Sequence, residues 1–114
     1  MNSLSELVFV GFNSRVAALN RETGEIVWSW KATKPSMAGG YVTLLLDGER
    51  LIVSVNGYMY CLHAETGEQL WYNETKGFGT GVASLASIHG YSASSQIAAV
   101  AEQAARAAAA SAGG

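Results

Sequence analysis

The sequence predicts an all-β protein assembled from two copies of one multi-stranded unit, and three observations carry that prediction. Residues 7–28 and 50–71 align without a gap at a shift of 43 positions, with Val10/Val53, Asn13/Asn56, Leu19/Leu62, Glu22/Glu65, Thr23/Thr66, Gly24/Gly67, Glu25/Glu68 and Trp28/Trp71 identical. Repetition at a period of about 40–50 residues is a mark of stacked β-units, each unable to bury its own apolar face. Short runs of β-branched and aromatic residues alternate with turn-forming residues up to residue 90, a pattern of many short strands. Finally, the same turn signals recur at the same places in both copies.

The strands follow in order. Leu7–Phe12 and Arg15–Asn20 flank Asn13-Ser14, and 26–30 closes the first unit. The second unit is predicted as 41–46, 51–55, Tyr58–His63 and Gln69–Asn73, with a further strand over 82–88. Asn13-Ser14, Asp47-Gly48 and Asn56-Gly57 are tight hairpin connections, because Asn and Gly tolerate the left-handed backbone that such turns need. Glu-Thr-Gly-Glu at 22–25 and again at 65–68 predicts a longer loop whose glycine takes the left-handed position. Leu44-Leu45-Leu46 and Leu51-Ile52-Val53 are apolar on both faces, which predicts sheets covered on both sides. If the four strands of a complete unit are a, b, c and d, the chain runs b-c-d, a-b-c-d, a. The final a-strand rests on the match of Gly40-Tyr-Val-Thr-Leu44 to Gly81-Val-Ala-Ser-Leu85.

Composition limits the function. Of the 114 residues, 49% are apolar and 14% charged, which excludes a disordered chain over residues 1–90. The net charge of −2 gives no general attraction to nucleic acid or anionic lipid. Cys61 is a single cysteine in an apolar strand pattern, so a small buried hydrophobe is expected rather than a reactive thiol. No run of residues reads as a signal peptide or spans a bilayer, and a cytoplasmic location is the expectation. Asn73-Glu74-Thr75 is then a chance sequon.

The segments Ala18-Leu-Asn-Arg-Glu-Thr-Gly24-Glu25-Ile-Val-Trp28 and Cys61-Leu-His-Ala-Glu-Thr-Gly67-Glu68-Gln-Leu-Trp71 resemble the tryptophan-docking motif of the PQQ-like (quinoprotein-type) β-propeller repeat family. The resemblance implies two four-stranded β-propeller blades within residues 1–90, from a fold whose rings hold six to eight. It also implies that Trp28 and Trp71 are inter-blade docking residues, with Gly24 and Gly67 beneath them. Asn20, His63 and Cys61 depart from the family pattern, which often has Asp at the first two positions and Ala at the third. His63 is expected to hydrogen-bond within its loop rather than to ligate a metal.

Two blades cannot close a ring. Unlike apolar faces at the two ends favour head-to-tail association, and a closed cyclic oligomer results when the rotation per chain divides the circle. The expectation is a C4 tetramer of eight blades or a C3 trimer of six, with 82–88 pairing with Leu7–Phe12 of the next chain. Alternating strand directions sort the charges onto two faces. One face carries Arg15, Lys31, Lys34 and Lys76 against Glu74, with Phe78 beside them. The other carries Arg21 and Arg50 against Glu6, Glu22, Glu25, Asp47, Glu49, Glu65 and Glu68. The basic face is therefore a candidate site for an anionic ligand or an acidic protein, through Arg15, Lys31, Lys34, Lys76 and Phe78. Gly77-Phe-Gly79-Thr-Gly81 precedes a predicted strand rather than a helix, so it reads as an inter-blade loop and not a phosphate cradle.

No Ser/His/Asp set, carboxylate pair or His/Cys cluster is visible, and no catalytic residue, cofactor or metal site is assigned. A non-catalytic scaffold that assembles with itself is the expected function. The resemblance supplies the alternative, a PQQ-dependent dehydrogenase-type module holding a quinone and calcium in the ring mouth. Residues 91–114 form an Ala- and Ser-rich tail. Over 96–112 its composition favours a helix, with Ile97 and Val100 on a narrow apolar stripe, though disorder is equally consistent.

Overall fold

A computed structural model describes residues 3–34 and 39–92. A single 3-10 turn at Leu4–Glu6 leads into strands β1 (Leu7–Phe12), β2 (Arg15–Asn20) and β3 (Ile26–Lys31). After the linker come β4 (Val42–Asp47), β5 (Arg50–Val55), β6 (Tyr58–His63), β7 (Gln69–Asn73) and a two-residue β8 (Tyr91–Ser92). The strands form an antiparallel three-stranded sheet, β1-β2-β3, and a five-stranded sheet in the order β7-β6-β5-β4-β8. Strands β1 to β3 are thus the b, c and d strands of one blade, and β4 to β7 are a complete second blade.

The turns do what their residues dictate. Asn13 (φ 52°) and Ser14 (φ 62°) both lie in the left-handed region, as do Asn56 (φ 49°) and Gly57 (φ 93°) at the equivalent hairpin. Two consecutive left-handed residues match the twist of the flanking strands, so register follows without a bulge: Phe12 faces Arg15 and Val55 faces Tyr58. Register does slip at Ala18/Leu19 and again at Cys61/Leu62, the same step of the repeat in both blades.

The core lies between the two sheets. Val16, Ala18 and Trp28 from the first meet Leu51, Val53, Val55, Tyr60 and Leu62 from the second. Gly11 lets the sheets approach: a Cβ there would fall 2.5 Å from Val42 Cγ1. The outer sides differ. Val8 (44% exposed), Phe12 (70%) and Val27 flank the first blade, and Trp71 (41%) flanks the second. The two-sided cover predicted from the sequence is present in the second sheet, where Leu51 and Val53 on one side and Leu45, Ser54 and Cys61 on the other are buried, and absent from the first, whose outer side carries exposed Val8 and Phe12.

One expectation is corrected. Residues 82–88 are not a strand in this chain. A strand is defined by its ladder, and the edge these residues were expected to complete, that of Leu7–Phe12, is an edge of the next chain. At the start of the predicted tail, Tyr91 and Ser92 pair with Leu46 and Leu45 on the edge of β4. The expected helix over 96–112, with Ile97 and Val100, lies outside the described residues, as does part of the loop that follows Lys34.

Candidate functional site

The junction between the blades is built around Trp28. It stands on β3 opposite Ala18, on the side facing the second blade, and only 8% of it is exposed. Its indole Nε1 donates to the Ala64 carbonyl at 2.9 Å, a buried bond that satisfies the ring's one polar group. Its ring lies on Gly67, where a Cβ would fall 2.6 Å from Cε3. Gly67 has φ 80°, so glycine is required there twice over, for the backbone conformation and for the space. Phe9 flanks the indole at 6.1 Å.

Its repeat counterparts remain uncovered. Trp71 stands opposite Cys61 as Trp28 stands opposite Ala18, yet it is partly exposed. Gly24 has φ 77° and nothing within 4 Å of a Cβ placed on it. Of the four residues assigned from the motif, the structure brings Trp28 and Gly67 together and leaves Trp71 partly exposed on the second sheet and Gly24 open on the first.

The two motif loops are closed by local hydrogen bonds. Asn20 Oδ1 accepts from Glu22 N at 2.9 Å and from Thr23 N at 3.0 Å, and the Asn20 carbonyl accepts from Gly24 N at 2.7 Å. In the second loop His63 Nδ1 accepts from Glu65 N at 3.3 Å, and the His63 carbonyl accepts from Gly67 N at 2.8 Å. Asn and His therefore supply the acceptor that an Asp would supply at this turn. Accepting through Nδ1 places the imidazole proton on Nε2.

Sequence reasoning missed a second set of junction residues. Tyr60 is fully buried. Its hydroxyl accepts from Lys34 N and donates to the Lys34 carbonyl, both at 2.8 Å, so it ties the inter-blade linker to the second sheet. Trp30 packs edge-on against Tyr60 at 4.7 Å and donates through Nε1 to Gln69 Oε1 at 3.2 Å. The repeat alignment places Ala17 opposite Tyr60 and Asn73 opposite Trp30, so neither aromatic carried a signal of repetition.

The predicted basic residues divide into two groups. Arg15 and Lys31 sit directly across β2 and β3 from each other, both exposed, with Lys34 just beyond. No ion pair to any of them occurs among the described residues, where the one salt bridge joins Arg21 to Glu22 at 3.3 Å. Like charges directly opposite repel. Lys76 and Phe78 belong to the loop after β7. Lys76 lines a shallow depression of about 230 Å³ with Tyr58 and Glu74, and Phe78 is exposed beside it.

Burial raises the Cys61 thiol pKa, an effect only partly offset by Arg50, whose Nη1 lies 4.0 Å from Sγ. Among the described residues no group of three or more His, Cys, Asp or Glu is placed to hold a metal, and no helix is long and apolar enough to cross a membrane.

A family model described as outer membrane protein assembly factor BamB matches residues 12–111. The chain belongs to this family of PQQ-like β-propeller repeats. The match covers both motif copies and the linker between them, and the two antiparallel sheets are blades of that fold. Comparison with curated proteins finds no match, and comparison with solved structures finds none.

Proposed function

We propose that this propeller module closes into a ring with copies of itself and that the ring is a non-catalytic binding scaffold. One observation carries the reading: the Trp28 on Gly67 contact inside the chain, with its two repeat partners, Trp71 and Gly24, left uncovered. Each end of the chain thus bears one half of a contact whose complete form is already present at its centre. Trp71 of one copy covers Gly24 of the next, and its Nε1 meets the Arg21 carbonyl as Trp28 meets that of Ala64. The contact is head-to-tail, so it propagates until the circle closes. A C4 tetramer of eight blades is the preferred closure and a C3 trimer of six the second. Light scattering on the eluting protein tests this: a native mass four or three times the 12.0 kDa chain is expected, and a stable folded monomer overturns it.

The binding surface is the rim that carries Arg15, Lys31, Lys34, Lys76 and Phe78. Ring formation multiplies these cations around one mouth, which concentrates the field there. Arg15 facing Lys31, neither in an ion pair among the described residues, favours an anionic occupant, an acidic protein surface or a small anion. The matching family is itself described as an assembly factor, a role that suits a docking platform. A polyglutamate peptide is the probe. Its affinity at low salt should fall at least tenfold in the Lys31→Glu/Lys76→Glu variant, and an unchanged affinity removes the site.

A further inference from the structure

We infer that each junction between copies in the proposed ring holds a pocket for a small aromatic carboxylate. The inference rests on the ring reading and adds to it a site and a ligand class.

The junction inside the chain shows what fills such a space. Trp30 lies edge-on against Tyr60 at 4.7 Å, Tyr60 lies against Tyr72 at 4.9 Å, and Gln69 Oε1 accepts from Trp30 Nε1. Three rings thus close the gap between β3 on one blade and β6 and β7 on the other. The repeat removes all three from the junction between copies. Asn73 stands at the place of Trp30, Ala17 at that of Tyr60 and Ser29 at that of Tyr72. Register agrees with this correspondence. Ala17 pairs with Ser29 as Tyr60 pairs with Tyr72, and Met59 pairs with Asn73 as Val16 pairs with Trp30.

One wall of the resulting hollow is already formed in the single chain. Met59, Trp71 and Asn73 are among the residues that line an open depression of about 450 Å³ on the second sheet. Ligand pockets enclose about 300–1,000 Å³. In the proposed ring Trp71 goes to Gly24 of the next copy, as Trp28 goes to Gly67. The space beside it, which Trp30 takes inside the chain, then lies between Asn73 and the next copy's Ala17 and Ser29. An amide, a methyl and a hydroxyl cannot fill the volume of an indole and two phenols, and a void of that size forfeits the packing contacts of its whole lining.

The mouth of this hollow supplies the charge. Side chains alternate along a strand, so Arg15 and Lys31 lie on the same side of the first sheet as Ala17 and Ser29, one pair further along and about 7 Å away. Inside the chain the same two places carry Tyr58 and Glu74. A phenol and a carboxylate are exchanged for a guanidinium and an ammonium, which turns an acidic mouth into a basic one. Both cations are exposed, and neither is in an ion pair among the described residues. A guanidinium holds a carboxylate through two parallel hydrogen bonds, and Lys31 adds a second positive charge. A flat apolar body with one carboxylate meets both demands. Its rings take the place of the missing aromatic cluster, and its charge answers Arg15 and Lys31. The pocket lies between neighbouring blades and is distinct from the ring mouth.

Calorimetric titration of the full chain with 2-naphthoate, alongside its native mass, tests the site. One molecule should bind per chain. Naphthalene-2-carboxamide, which lacks the charge, and acetate, which lacks the rings, should each bind at least tenfold more weakly. Lys31→Gln should weaken 2-naphthoate at least tenfold and leave the carboxamide unchanged. Asn73→Trp returns the missing indole at a side chain that the single chain leaves exposed. Ala17→Tyr returns a ring from the opposite wall. Each should cut the affinity for 2-naphthoate at least tenfold while the ring persists to lower protein concentration. A monomeric parent protein overturns the ring and the pocket with it. A ring that binds 2-naphthoate no better than the two controls, or binds it undiminished in both Asn73→Trp and Ala17→Tyr, overturns the pocket alone.

Discussion

Gly24 and Gly67 occupy identical turns with nearly identical backbone angles, φ 77° and 80°, yet they differ in what lies above them. The pair therefore separates a conformational cost from a packing cost. Alanine at either position meets the left-handed backbone, a penalty of about 1–2 kcal/mol. At Gly67 the added methyl also displaces the Trp28 ring, and crowding of that kind costs about 1–3 kcal/mol more. Gly67→Ala should therefore lower the chain's own unfolding free energy more than Gly24→Ala does, as read from urea denaturation. In the proposed ring the space above residue 24 is taken by Trp71 of the neighbour, so Gly24→Ala should instead show its larger effect in the native mass. Cys61 gives a second prediction at this scale. Burial holds the folded thiol's pKa above its ordinary value of 9.0, so the folded state keeps its proton where the unfolded state loses it. That contribution to stability is intact below pH 9 and is lost as pH rises through the raised folded value. Native protein at pH 8 should resist a thiol-disulfide reagent that reacts fully once urea is added.

Among the elements, the linker between β3 and β4 is held at Lys34 by Tyr60 and at Gly39 and Gly40 by Asn13 and Ser14. Tyr60 reaches out of β6 and uses its hydroxyl as both acceptor and donor on the Lys34 backbone. Tyr60→Phe keeps the ring that packs on Trp30 and leaves the Lys34 N–H and carbonyl without that partner. Loss of such a group's partner costs about 1–3 kcal/mol, and the denaturant midpoint should fall by a corresponding amount with little change in the slope. The same comparison explains what was legible in the sequence. Strands β1 to β7 could be read because their turns are written in residues with one conformational meaning, Asn-Ser, Asn-Gly and Glu-Thr-Gly-Glu, and are written twice. Residues 82–88 could be read as strand-like in pattern, but hydrogen bonding needs a partner, and no local signal says whether the partner is in the same chain. Tyr60 and Trp30 could not be read at all, since each lacks an aromatic counterpart 43 residues away. The cationic residues were legible as one face. Their division into Arg15 and Lys31 across one ladder, and Lys76 in a separate loop, came from register.

The whole molecule holds one finished junction and, on the proposed ring, the two halves of another that is not equal to the original. Inside the chain, Trp28 on Gly67 is reinforced by the edge-on contact of Trp30 with Tyr60 and by Tyr60's two bonds to Lys34. In the proposed ring the repeat would set Trp71 on Gly24, but it places Asn73 where Trp30 stands and Ala17 where Tyr60 stands. The proposed inter-chain junction would therefore lack an aromatic pair whose contact contributes about 0.5–1.5 kcal/mol beyond the area it covers. It also pays for association, which the covalently joined blades avoid. A ring so built should come apart before its subunits unfold. Urea titration followed by native mass and by tryptophan fluorescence should show two transitions. The earlier, loss of the ring, should move to higher urea as protein concentration rises, and the later, loss of the Trp28 core, should stay fixed. Trp71→Ala should abolish the first transition by leaving a monomer, with the second displaced far less than by Trp28→Ala, whose buried indole is worth about 3–5 kcal/mol. A single concentration-independent transition in the parent protein, with mass and fluorescence changing together, would mean that the two junctions are not ranked in this way.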